Sequence, residues 1–472
     1  MDPSEFRRHG HALVDWVADY LSASPRPPVL ARVAPGAVEA ALPDAAPEEP
    51  ESFEAIMADV DRVLVPALTH WNHPGFFAYF ATSASPPGVL AELLATALNQ
   101  QAMLWRTSPA ATELEAVATG WLRRLLGLPA TFEGVIYDTA SVSTLHALAA
   151  ARQAAMPGVR THGHSGTGRV YCSEQAHSSV DKGVALLGFG LEGVRRIAVD
   201  AAFAMQPDRL AAAIAEDRAA GHVPVAVVAT IGTTVTTSSD PVAAIADICR
   251  REGLWLHVDA AYAGPAAMLP ERAAAFDGWD LADSVVTNPH KWLLTPFDLS
   301  VLLCRRMDVV REAFSVVPDY LRTTDGDVKN LMDTGIQLGR RFRALKLWMV
   351  LRSYGAAGIR EMLREHMRLA RLFADWVDAD AGFERLAPVP FSVVCFRACP
   401  ASLQGDAEGL DRLNERLLDR VNATGEVFLS SSRLRGVVTL RLAVGNFQTR
   451  LEHVARAWEL LTRETTRLLA SA

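Results

Sequence analysis

The chain has 472 residues, half of them hydrophobic and 21% charged, the balance of a folded globular protein with two or three packed units. A net charge of −8 without a basic stripe argues against nucleic acid as a partner, and no segment has the roughly 18–20 apolar residues of a membrane span. The five cysteines, Cys172, Cys249, Cys304, Cys395 and Cys399, form no CxxC or Cys/His cluster, so no metal site is expected and a reducing, cytoplasmic setting is.

In chain order, Phe6, Leu13, Val14, Val17 and Leu21 recur at helical spacing from Pro3 to Leu21. The opening MDPSEFRRHGHALVDW lacks an apolar core of signal-peptide length. A Pro/Ala-rich stretch, SASPRPPVLARVAPGAVEAALPDAAPEEP, follows and reads as an extended arm that wraps another surface. A helix is expected from Ser52 to Leu68. The middle of the chain alternates apolar runs (GVIYDTAS, GRVYCSE, VRRIAVD, VPVAVVATIG, LWLHVDAA, DSVVTN, LSVLLCR) with helical stretches such as TLHALAAARQAA and DPVAAIADICRREG. Strands that are apolar throughout, separated by helices, predict a mainly parallel sheet covered on both faces. After Gly339 a long helical region leads to FSVVCFRA, GEVFLS, VVTLRLAV and a last helix, a smaller α+β unit.

Ligand groups of a parallel sheet collect at the carboxyl ends of its strands. GVIYDTASVSTLHAL is strand, turn and helix, and its turn amides with the hydroxyls of Thr139 and Ser141 suit a phosphate, although Ser and Thr cap helices everywhere. LWLHVDAAYAG ends a strand in Asp259, a carboxylate that is costly among apolar neighbours unless paired; a helix cap is the plainer alternative. YCSEQAHSSVDKG ends another in His177, which read alone fits a satisfied structural histidine. TNPHKWLLTP sets Lys291 between His290 and Trp292, behind Asn288. Desolvation there lowers an ammonium pKa and yields the neutral amine of a Schiff-base lysine, while the decapeptide alone fits a surface lysine equally well. Together these are the parts pyridoxal phosphate requires: a lysine for the aldehyde, a carboxylate for the pyridine nitrogen, donors for the phosphate and a flat imidazole for the ring face.

Two patterns carry no function. GFGLEG (Gly188, Gly190, Gly193) matches GxGxxG, but a helix precedes it and a strand follows, the reverse of a dinucleotide fingerprint. His162 and His164, in THGHSGTG, have no acidic neighbour and read as solvated.

With these residues assembled, the chain resembles the group II pyridoxal-phosphate decarboxylases, most nearly the aromatic-L-amino-acid decarboxylases. The resemblance runs the length of the chain and is carried by HPGFFAYFATSAS, SPAATELEAVATGWL, SEQAHSSV, ATIGTT, LHVDAAYAG, NPHKWLL and LGRRFRALKLW. It implies an α/β fold of the fold-type I PLP-dependent transferases. A mainly parallel seven-stranded sheet would lie in a large domain (85–347), beside an N-terminal helical arm (1–84) and a smaller α+β domain (348–472). It also implies a homodimer with active sites at the subunit interface and decarboxylation of an aromatic amino acid. By the same resemblance Lys291 takes the cofactor aldehyde, Asp259 pairs with the pyridine nitrogen and His177 stacks on the ring. Thr139, Ala140, Ser141, Thr234, Ala261, Asn288 and His290 line the cofactor site; Trp71, Tyr79, Phe80, Thr82, Met103 and Leu331 line the substrate pocket.

Six aromatics fall between Trp71 and Trp105, a segment that forms the side-chain pocket in the family, which favours an aromatic substrate; a dimer core would be enriched in the same way. Met103 and Gln101 stand where relatives are bulkier or apolar. Aromatic decarboxylases carry a loop tyrosine that protonates Cα, and aldehyde-forming relatives have phenylalanine there. Counting back from LGRR, the matching residue is Leu331, and no tyrosine lies between Asp325 and Arg343; Tyr320 matches another position. Leucine cannot donate a proton. The product is therefore an amine, with His177 or water as donor, or an aldehyde formed with oxygen, or the loop serves other chemistry. A non-catalytic binding protein and a transaminase are the more distant alternatives.

Overall fold

The seven apolar runs of the middle region are seven strands of one sheet in the computed structural model, which describes residues 1–23, 26–164, 167–316 and 328–470. They are β1 (Glu133–Tyr137), β2 (Gly168–Ser173), β3 (Val194–Ile197), β4 (Val223–Thr230), β5 (Trp255–Asp259), β6 (Ser284–Thr287) and β7 (Ser300–Cys304), in the spatial order β1-β7-β6-β5-β4-β2-β3. Pairings among β2 to β6 are parallel, and β7 alone runs against its neighbours β1 and β6. Every residue of β5, β6 and β7 is buried, as expected of strands with helices on both faces. The carboxyl ends of β1, β2, β4, β5 and β6 consequently share one edge.

The second sheet has four strands, β8 (Phe383–Arg385), β9 (Val393–Ala398), β10 (Ser430–Leu434) and β11 (Val437–Ala443), all antiparallel, in the order β10-β11-β9-β8. The expected strand over GEVFLS is displaced: β10 begins only at Ser430, and Phe428 makes an isolated bridge to Phe76 while its ring packs edge-on against Phe76 and Tyr79. The long helix Ala344–Ala379 leads into this unit and breaks at Gly355, whose φ of 62° lies in the left-handed region that glycine adopts freely.

Helix Pro3–Ser22 starts at a capping box, Asp2 with Glu5. It lies against residues 53–70 through Arg8–Glu54, Trp16–Asp61 and Tyr20–His70. The following arm is seated on the same chain, with Val29 fully buried and hydrogen-bonded to Gly425 and His70. Among the described residues no helix is long and apolar enough to cross a membrane, and no group of His, Cys, Asp and Glu is placed to hold a metal ion. The five cysteines are free. Helix Ser179–Leu186 does precede GFGLEG and β3 follows it, so the glycines form no dinucleotide turn. His164 departs from expectation: it is half-buried, with Nε2 3.0 Å from the Leu187 carbonyl and its ring against Phe189.

Candidate active site

A cavity of about 220 Å³ opens at the shared strand edge, lined by residues from the ends of β1, β2, β4, β5 and β6. It takes in every residue expected to hold the cofactor: Thr139, Ala140, Ser141, His177, Thr234, Asp259, Ala261, Asn288, His290 and Lys291, together with Phe80. Its size falls below the ~300–1,000 Å³ of pockets for drug-sized ligands and suits a small cofactor.

Thr139 is the extended N-cap of helix Ala140–Ala155, and its carbonyl accepts the amides of Val142 and Ser143. The amides of Ala140 and Ser141, in the first turn, have no partner within the helix and form an anion-attracting mouth. Across the cavity Asp259 ends β5, buried, with Oδ1 accepting the Ala261 N–H at 3.0 Å. Register sets Asp259 beside Thr230 of β4 and Val286 of β6.

Lys291 sits on the single helical turn Pro289–Trp292, half-buried, with Nζ 5.3 Å from the centroid of the Phe80 ring. Burial pushes its ammonium below the usual range and Asp259 pulls it back up. Trp292, its neighbour in sequence, does not share the cavity. It turns into the core and donates its indole N–H to His366 Nδ1 at 3.0 Å. The Lys291 surroundings come instead from Phe80, which stacks on Tyr262 at 3.8 Å, which stacks in turn on Trp292 at 4.7 Å.

His177 Nδ1 accepts the backbone N–H of Ser179 at 3.1 Å, so the proton of the neutral ring is on Nε2. Burial lowers the His177 pKa against the opposing pull of Asp259. His290 Nδ1 likewise accepts the Leu299 N–H at 2.9 Å, and burial takes its pKa down to about 3, so it stays neutral.

Four lining or flanking groups were not singled out from the sequence, although Thr230 and Gly232 lie in ATIGTT and Tyr262 in LHVDAAYAG. Thr230, Gly232 and Tyr262 complete the wall. Gly232 has φ +85° and a Cβ there would meet the Ala263 Cβ at 2.5 Å, so only glycine closes this turn. Arg441, in the middle of β11, is buried; it donates to the carbonyls of Thr234 and Val235 and sets its guanidinium 5.7 Å from the Phe80 ring.

Trp71, Tyr79, Thr82, Met103 and Leu331 are not brought to this cavity within one chain. Trp71 stacks on Phe76 and Tyr79 at a partly open surface. Leu331 lines a separate cavity of about 530 Å³ with Trp105, Arg123, Glu133, Arg311 and Lys329, which holds none of the strand-end chemistry. Tyr320 and Asp325 lie outside the described residues.

The residues present fit pyridoxal phosphate. A helix mouth, a buried carboxylate and a desolvated amine face one small cavity, and Thr230 Oγ1 and Asn288 Oδ1 on its wall are buried without a protein partner. Comparison with known proteins agrees. Residues 35–399 match the model of the pyridoxal-dependent decarboxylase conserved domain. Tyrosine decarboxylase 4 of Petroselinum crispum is 39% identical over 100% of this chain and 95% of its own length. Phenylacetaldehyde synthase of Arabidopsis thaliana is also 39% identical, over 99% and 97%. The crystal structure of Oryza sativa TDC with PLP and tryptamine superposes with a TM-score of 0.96 at 36% identity, covering 99% of both chains. The chain belongs to the pyridoxal-dependent decarboxylases, within the group that contains both aromatic-amino-acid decarboxylases and aldehyde synthases, and its cofactor is pyridoxal 5′-phosphate.

Proposed function

We propose that this enzyme decarboxylates aromatic L-amino acids to the corresponding amines with release of CO2, as a cytoplasmic homodimer with active sites at the subunit interface. The observation that carries the reading is the meeting of Lys291, Asp259, His177 and the Thr139–Ser141 helix mouth in one cavity. Bound pyridoxal phosphate supplies a protonated ring that accepts the electron pair left at Cα when CO2 departs. The chain's own groups do the rest. Lys291, its ammonium disfavoured by burial, offers a neutral Nζ for the aldehyde. Asp259 keeps the proton on the pyridine nitrogen, and the amides of Ala140 and Ser141 with the Thr139 hydroxyl hold the phosphate. His177 covers the ring face and carries, on Nε2, a proton available for Cα. The Phe80–Tyr262–Trp292 stack keeps water from the lysine.

The dimer is supported by leucines 90, 93, 94 and 98 of helix Pro86–Leu98 and by Phe6, Leu13 and Val14, all exposed in the single chain. A second copy is also the source of substrate contacts from Trp71, Tyr79, Thr82, Met103 and Leu331, none of which reaches the cavity of its own chain.

A second reading has its own observation. Leu331 offers no acid, and a relative named phenylacetaldehyde synthase is as similar as the named decarboxylases, so oxygen-dependent aldehyde formation is the alternative. Incubating the PLP-loaded protein in air with L-tyrosine, L-tryptophan, L-phenylalanine and their hydroxylated forms, then identifying products by mass spectrometry, decides between them. Amine supports the first reading; aldehyde with peroxide and ammonia supports the second. A cofactor-loaded protein that releases no CO2 from any of them refutes both.

A further inference from the structure

The segment 331–336 is held by two side chains that line no part of the cofactor cavity. Tyr137, the last residue of β1, donates its phenolic O–H to the Thr334 carbonyl. His146, on the second turn of helix Ala140–Ala155, is 1% exposed and stacked between Tyr137 at 4.3 Å and Phe314 at 4.4 Å. Its Nδ1 lies 2.7 Å from the Val142 carbonyl, which can only accept, so the ring proton is on Nδ1. Nε2 is therefore a lone pair, and it accepts the Ile336 N–H at 3.2 Å. Gly335, between the two bonded peptide groups, passes so close that a Cβ would meet His146 Nε2 at 2.8 Å and Tyr137 Cε1 at 3.1 Å.

Within the segment, the Leu331 carbonyl accepts from Thr334 Oγ1 at 2.7 Å and Arg340 Nη1 at 3.2 Å, and the Met332 N–H reaches the Met103 carbonyl at 3.0 Å. Leu331 and Met103 are thereby fastened to β1 and to the helix whose mouth, at Thr139–Ser141, forms one wall of the cofactor cavity. Packing alone asks for a flat ring at position 146; it does not ask for a lone pair aimed at a peptide N–H.

We infer that Tyr137 and His146 are positioning residues that fix the Leu331–Met103 segment on its own chain's sheet and helix, the surface from which it meets the cofactor site of a second copy, and so set the KM for the amino acid and the amine-to-aldehyde ratio. The inference rests on the reading of Leu331 and Met103 as substrate residues. Tyr137→Phe removes only the O–H; His146→Gln keeps an acceptor within reach of Ile336, and His146→Leu does not. In the PLP-loaded protein, Tyr137→Phe and His146→Leu are expected to speed amide hydrogen exchange at 331–336. They raise KM by a factor of about ten, shift the product ratio and leave PLP retention unchanged, while His146→Gln stays near wild type. Unaltered exchange in Tyr137→Phe, or faster exchange with KM and ratio unmoved, overturns the inference and leaves a packing role only. If His146→Leu does not fold, Tyr137→Phe decides. A productive wild type with unresponsive variants sinks this inference alone, whereas a loaded wild type that forms neither amine nor aldehyde overturns the functional reading and takes the inference with it.

Discussion

Lys291 holds its Nζ 5.3 Å from the centroid of the Phe80 ring, and the guanidinium of Arg441 lies 5.7 Å from the same centroid. One ring thus faces two basic side chains. Arg441 is committed by hydrogen bonds to Thr234, Val235 and Ser430 and keeps its charge, whereas Lys291 has Asp259 as the charge that favours its protonated form. Burial is the condition that pushes the Lys291 amine toward its neutral, nucleophilic form, against the opposing pull of Asp259.

The first prediction follows. Wild-type protein loaded with pyridoxal phosphate and treated with borohydride should retain the cofactor through denaturation, because on the proposed reading Nζ would be bonded to it. Lys291→Ala should bind the cofactor through the helix mouth and Asp259 yet release all of it in denaturant. Covalent cofactor in the alanine variant, seen by mass spectrometry, would assign the attachment to another lysine.

Asp259→Asn tests the carboxylate separately from the fold. Asparagine retains an oxygen for the Ala261 N–H, so the melting temperature should stay near wild type. On the proposed reading what is lost is the charge that would keep the pyridine nitrogen protonated, and kcat is expected to fall by about 10²-fold or more. A variant with near-normal kcat would mean that the ring draws its proton from elsewhere.

The seven strands were legible because each is apolar along its whole length, which burial on both sheet faces demands. The strand-end residues Asp259, His177 and Lys291 were legible for a related reason: polar groups that close apolar strands stand out. Burial by residues remote in sequence left no such mark. Phe80 and Tyr262 meet at 3.8 Å across about 180 residues, and Trp292, placed next to the lysine, faces the opposite way. Arg441 looks like an ordinary exposed position of an alternating strand until its carbonyl partners are seen. GEVFLS was apolar because Phe428 packs against Phe76 and Tyr79, an irregular contact with the same composition as a strand.

On the proposed reading, Leu331 is the residue on which the product turns. It is buried, and its carbonyl is fixed by Thr334 and Arg340, so a replacement side chain starts from a defined backbone. Leu331→Tyr should raise the amine fraction at the expense of aldehyde, measured as the product ratio at equal turnover. An unchanged ratio would show that the proton reaches Cα from another group, with His177 the first to examine through the same ratio in His177→Gln.

The buried histidines predict how stability depends on pH. Burial takes His146, His257 and His366 down to about 4 and His290 to about 3, from an ordinary value of 6.5. Unfolded, each binds a proton near pH 6.5; folded, none does until about pH 4 or below. The unfolded state therefore binds more protons throughout this window, and stability, complete above 6.5, declines as pH falls toward 4, by on the order of 3 kcal/mol for each histidine. Asp240 has the opposite sign: burial raises its carboxyl to about 6, so the folded state gains a proton first as pH falls and offsets part of the loss. The net expectation is a urea midpoint, measured at saturating cofactor, that is level from pH 8 to about 6.5 and drops steadily to pH 4.5. A midpoint flat down to pH 5 would mean that these histidines take up protons inside the folded chain, which His146 could do only by surrendering the Nε2 lone pair that holds Ile336.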